Sequence, residues 1–156
     1  MRLGCDREST WSCTMKTSAM AHQLEALRRM HGKEYFGLFM EQGTGKTWTL
    51  LADIERLYSS GKIDAAFVVA PKGVHTNWVT REIPTHMDAP VIARRWKSGG
   101  GKRWMKDMEE LFRPREDGEQ VPLRILSMNI DALITKDGFE FARKFLSMTK
   151  AMFIIL

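Results

Sequence analysis

The run Met40-Glu41-Gln42-Gly43-Thr44-Gly45-Lys46-Thr47 constrains this chain more than any other feature. It lies between a short apolar segment, Tyr35–Met40, and a stretch with helical spacing of apolar residues, Leu50, Leu51, Ile54, Leu57 and Tyr58. Glycines at 43 and 45 let the backbone curl so that successive N–H groups point inward. A helix N-terminus behind them adds partial positive charge. Such a loop cradles phosphate oxygens, and Lys46 is placed to reach the β and γ phosphates of a nucleotide. The Thr47 hydroxyl is a candidate member of a Mg²⁺ coordination shell. Gly43, Thr44, Gly45, Lys46 and Thr47 are therefore the candidate ATP-binding residues, with Lys46 and Thr47 the catalytic candidates. The usual pattern opens with a glycine where this chain has Met40; the inner pair, Gly43 and Gly45, forms the tightest part of the cradle. The competing reading is an ordinary turn that happens to carry Gly-x-Gly-Lys-Thr.

Around the loop the apolar pattern alternates between short runs and helical periods. Met20–Met30 predicts a helix stopped by Gly32, Tyr35–Met40 a buried strand, and Lys46–Tyr58 a second helix ended by Ser59-Ser60-Gly61. Ala65–Ala70 reads as a buried strand, Val74–Ile83 as a helix ending at Pro84, and Pro90–Ala93 as a short strand. A helix over Lys102–Phe112 follows, then a polar loop over Arg113–Gln120. Leu123–Ser127 reads as a strand, Phe139–Met148 as a helix and Met152–Leu156 as a last strand. This alternation predicts an α/β fold, a parallel sheet with helices on both faces. Residues 1–18 read as a leader of uncertain order and 19–156 as one domain.

Composition excludes several classes. No apolar run is long enough for a membrane span, and the charges at Arg2, Asp6 and Arg7 do not suit a signal peptide. Cys5 and Cys13 read as reduced thiols of a cytoplasm, and His22, His31, His75 and His86 are too scattered for zinc. The net charge of +5 is compatible with a polyanionic partner. Basic residues are densest from Arg94 to Lys106, where they interleave with Trp96 and Trp104. Two readings stay open there: a solvated face with partly buried tryptophans, or phosphate contacts with bases stacking on an indole.

Three further segments give a resemblance. Ala21-His22-Gln23-Leu24-Glu25-Ala26-Leu27 resembles the glutamine element of superfamily-two helicases, which implies that the Gln23 amide reads adenine. Val68-Val69-Ala70-Pro71-Lys72-Gly73-Val74, with Asn77-Trp78 and Arg81-Glu82-Ile83, is similar to the second motif of Swi/Snf-type members. That similarity implies backbone and Lys contacts from Pro71, Lys72 and Gly73 to nucleic-acid phosphates. Arg124–Leu133 resembles the strand-to-helix element before the acidic box, with Ser127 and Asn129 as candidate strand contacts. Each has a plainer alternative: a surface glutamine, a common βα unit with Trp78 in the core, and Asn129 as a helix N-cap.

The resemblance runs over residues 20–156 and implies a P-loop NTPase fold, the first RecA-like lobe of a DEAD/DEAH-box, Swi/Snf-like motor. It implies ATP and Mg²⁺ as cofactors, a nucleic-acid partner (DNA before RNA), a second RecA-like lobe, and a bacterial, phage-infected or nucleoid setting. The chain stops at Leu156, where the family places Asp-Glu, so the expectation is an incomplete sheet and negligible ATPase from this chain alone. It also predicts that Tyr35–Met40 and Met152–Leu156 flank a gap, leaving a marginal fold or one completed by another chain. The competing functions are a non-hydrolysing nucleotide-binding regulatory module and a P-loop kinase, for which Arg113 and Arg115 are the only lid-like pair.

Overall fold

The computed structural model describes residues 15–113 and 121–156. Expectations for the first fourteen residues, both cysteines among them, and for the polar stretch at 114–120 lie outside the described residues. The elements run α1 (Ala21–Met30), α2 (Lys46–Ser59), β1 (Ala65–Ala70), α3 (Val74–Asn77), α4 (Ile83–His86), β2 (Val91–Arg95), α5 (Lys102–Glu109), β3 (Leu123–Asn129), α6 (Ile130–Ile134), α7 (Lys136–Met148) and β4 (Ala151–Ile155). Among the described residues no helix is long and apolar enough to cross a membrane.

The four strands form one parallel sheet in the order β2-β3-β1-β4. All six residues of β1 are buried, as a central parallel strand covered on both faces requires. Because side chains alternate across a strand, β1 feeds two cores. Ala66, Val68 and Ala70 pack with Leu51 and Ile54 of α2, and with Trp78 and Ile83. Ala65, Phe67 and Val69 pack on the opposite face with Met108, Leu111 and Phe145. Trp78 is a core residue, 1% exposed. This is the α/β architecture of a RecA-like P-loop fold.

Four local expectations change. Tyr35–Met40 forms no strand, and Tyr35 and Phe39 are 90% and 98% exposed. A strand exists only with a ladder partner, and β4, paired on one side by β1, closes that end of the sheet among the described residues. Second, helical backbone does not end at Pro84. Residues Trp78–Glu82 widen into a π-type turn in which Ile83 N–H donates to the Trp78 carbonyl. The wider turn accommodates the ring and missing N–H of Pro84, and α4 continues to His86. Third, part of the expected leader is tied down: Lys16 N–H donates to the His86 carbonyl at 2.9 Å, and the Trp48 indole donates to Thr17 at 2.8 Å.

The fourth change is at α7, which begins at Lys136, ahead of the expected Phe139. Thr135 Oγ1 accepts from Gly138 N–H at 3.2 Å and caps the helix. A Cβ at Gly138 would lie 2.1 Å from the Ala132 carbonyl oxygen, so only glycine fits this first turn. Thr135→Ala is expected to cost about 1 kcal/mol of stability, the usual worth of an N-cap, read as a shift in urea midpoint at unchanged m.

Candidate functional site

The 40–47 loop is positioned by α1 behind it and α2 in front. Gly43 and Gly45 have φ of 82° and 78°, conformations that only glycine adopts without strain. Gly45 is the N-cap of α2 and contributes no capping side chain, so the first-turn N–H groups of Lys46, Thr47 and Trp48 have no side-chain cap. The first partner inside the helix belongs to Thr49, whose N–H donates to the Gly45 carbonyl at 3.1 Å. Uncapped donors at the start of a helix of 14 residues are the donor set an anion takes.

Lys46 bends back across the loop. Its Nζ donates to the Met40 carbonyl at 2.9 Å and the Glu41 carbonyl at 2.7 Å. The ammonium is thus held over the loop's own backbone, and Thr44 Oγ1 ties the same stretch by donating to the Glu41 carbonyl at 2.6 Å. Thr47 follows on the first turn of α2 and is partly exposed.

Gln23 sits behind the cradle, 4% exposed. Its Oε1 accepts from Met20 N–H at 2.8 Å, and its Nε2 lies 3.4 Å from the Thr44 and Gly45 carbonyls. His22 Nε2 meets the Thr44 carbonyl at 2.8 Å, a brace that no feature of the sequence singled out. A Cβ on Gly45 would stand 2.2 Å from Gln23 Nε2, so α1 and the loop touch directly. Gln23 therefore supports the loop in this structure. Gln23→Ala removes the bond from Met20 N–H and two long contacts to carbonyls that keep His22 and Thr49 as partners, and an expected loss of ~0.5–1.5 kcal/mol follows, measurable by denaturant titration.

The second cluster gathers at the C-terminal ends of the strands. Pro71, Lys72 and Gly73 make the turn after β1, Gly73 with φ 93°, and Lys72 is exposed. Strand register sets Val68 opposite Ser127 and Ala70 opposite Asn129. Arg95 stands opposite Ser127 on the other side and donates to Thr76 Oγ1 at 3.1 Å. Ser127 is fully buried, and its hydroxyl donates to the His75 carbonyl at 2.9 Å, so it props the turn from below and faces no strand. Asn129 takes the N-cap position of α6 without a side-chain capping bond; its amide donates toward Asp131 at 3.4 Å. Lys72 and Arg95 are the cations the fold presents here, and Arg95 was legible only as part of the basic run.

Residues 16–83 match the family model described as type III restriction enzyme, res subunit. The matched segment holds α1, the 40–47 loop, α2, β1 and the Pro71 turn, and it supports an ATP-dependent module of the helicase or translocase type. No curated protein matches the chain.

Proposed function

We propose that this chain is the ATP-binding part of a superfamily-two, Swi/Snf-like helicase or translocase that couples ATP hydrolysis to movement on DNA in the full-length protein. The observation that carries the reading is the loop itself, which brings together an uncapped α2 N-terminus, two positive-φ glycines and the Lys46 ammonium. That donor set fits the polyphosphate of a nucleoside triphosphate with Mg²⁺. The bound nucleotide supplies the phosphoryl group and the free energy of its transfer. Amides of Gly43 through Thr47 hold its phosphate oxygens, and Lys46 exchanges two backbone carbonyls for them. The Thr47 hydroxyl would be one of the oxygen ligands holding Mg²⁺. Gln23 turns from its two 3.4 Å contacts, which are long and weak, toward the adenine edge.

The Pro71-Lys72-Gly73 turn and Asn129 lie along the path of the nucleic-acid backbone, with Ser127 holding the turn in place. Phosphate contacts of this kind position a strand without reading its sequence. Lys72→Ala is expected to weaken binding of single-stranded DNA of every sequence alike and to lower the salt slope by about one. Fluorescence anisotropy over a salt series measures both, and an unchanged slope with unchanged affinity contradicts the reading.

A further inference from the structure

Beyond the phosphate-contacting turn, the sheet's C-terminal edge leads into an aromatic groove of about 580 Å³. Trp96 follows β2 directly and is 7% exposed, with its backbone N–H donating to the Ser127 carbonyl at 2.8 Å. Trp104 of α5 meets it edge-on at 5.1 Å, and Phe141 of α7 packs at 4.9 Å. Gly100 lies against the Trp104 indole so closely that a Cβ there would come within 2.1 Å of the ring. The buried Trp96 indole N–H has no hydrogen-bond partner among the described residues. Trp104 and Phe141 remain partly exposed, so the aromatic surface opens to solvent.

The rim carries a small excess of positive charge, with the Lys144 ammonium lying over the Phe112 ring at 4.5 Å. Glu140 is taken by Arg143 at 2.7 Å, which leaves Lys97 and Lys144 against Asp137. Arg95 and Trp96 are consecutive but turn to opposite faces of the sheet. Arg95 donates to Thr76 Oγ1 beside the Pro71 turn, and Trp96 packs on the α5 and α7 face, so a strand lying on the turn reaches the groove by crossing the C-terminal edge of the sheet. A volume in the range of small-ligand sites (~300–1,000 Å³), aromatic walls and a lysine beside Trp96 suit a flat, uncharged ring tethered to phosphates.

We propose that the Trp96–Trp104–Phe141 groove takes one unpaired base of a single-stranded nucleic acid, stacked on the Trp104 indole, with Lys97 on the adjoining phosphate. This inference rests on the reading of the Pro71 turn as a phosphate-contacting element. Base stacking on an aromatic side chain is sequence-tolerant and changes affinity by about 5- to 150-fold per base.

The test is an anisotropy titration of the full chain with a labelled oligothymidylate and with an abasic strand of equal length and charge. The thymidylate is expected to bind at least about 5-fold tighter. Trp104→Ala is expected to erase that difference while leaving abasic binding unchanged, and Trp104→Phe to restore most of it. Gly100→Ala, which drives a methyl into the indole, is expected to reduce the difference without removing the ring, so the test still decides if the Trp104→Ala chain does not fold. Equal affinity for the two strands, still sensitive to Lys72→Ala, overturns the groove and leaves the turn standing. A loss on Trp104→Ala that is equal for both strands also overturns it. No binding of either strand overturns the turn and the groove together.

Discussion

Asp64→Ala is expected to remove ~3–5 kcal/mol of stability, a third or more of what a domain of this size commonly has. Asp64 and Arg124 form an ion pair at 3.1 Å with side chains 11% and 5% exposed. The other Asp64 oxygen accepts from Lys150 N–H at 2.7 Å, and Asp64 N–H donates to the Lys150 carbonyl at 3.1 Å. One carboxylate therefore ties the entrances of β1, β3 and β4 together. Removing it strands a guanidinium that is always charged, and only the long 3.4 Å bond to the Leu111 carbonyl then offsets its desolvation. The pair itself need not stabilise relative to apolar residues of similar shape, so Asp64→Leu with Arg124→Met is expected to regain most of the loss. Urea denaturation of Asp64→Leu, Arg124→Met and the double variant closes the cycle. A single-variant loss below about 1 kcal/mol contradicts a buried, mutually dependent pair.

Lys46→Ala is expected to weaken ATP binding by ~10- to 150-fold, the span of a lost charged hydrogen bond of ~1.5–3 kcal/mol. The ammonium contributes twice. It clips the loop by its bonds to the Met40 and Glu41 carbonyls, and it supplies the positive charge at the mouth of the cradle. Lys46→Arg separates the two contributions. It retains the charge, but its planar fork does not fit a site shaped for a compact ammonium, so it is expected to recover little. Fold stability should change far less than affinity, because the lysine bonds only to a turn that α2 and Gln23 already hold. Isothermal titration beside a thermal melt of each variant reads both quantities.

The central βα architecture was legible because burial and period agree there. Ala65–Ala70 is apolar at every position, and it became the fully buried central strand. Leu51 and Ile54 recur at helical spacing and became the face of α2 that packs on the sheet. The turn at 43–45 was legible because its glycines sit where the backbone takes positive φ. Three features were not. Tyr35–Met40 has strand composition, but composition cannot supply a ladder partner, and its aromatics stand in solvent. Pro84 is a reliable helix breaker in a regular α-helix, and the π-type turn before it removes the clash that makes it one. Ser127 and Gln23 carry the residue types that touch ligands, yet both are buried and bonded to backbone carbonyls. Burial of that kind follows from strand register and helix docking, neither of which a single sequence states.

The 40–47 loop is held to bind the polyphosphate of a nucleotide, and affinity as a function of phosphate number tests this most directly. Calorimetric titration of the chain with ATP, ADP, AMP and adenosine in the presence of Mg²⁺ is the measurement. The loop predicts affinity that falls steeply in that order, with inorganic tripolyphosphate competing against ATP and adenosine failing to compete. Equal affinity for ATP and AMP, or binding carried by adenosine alone, would contradict it.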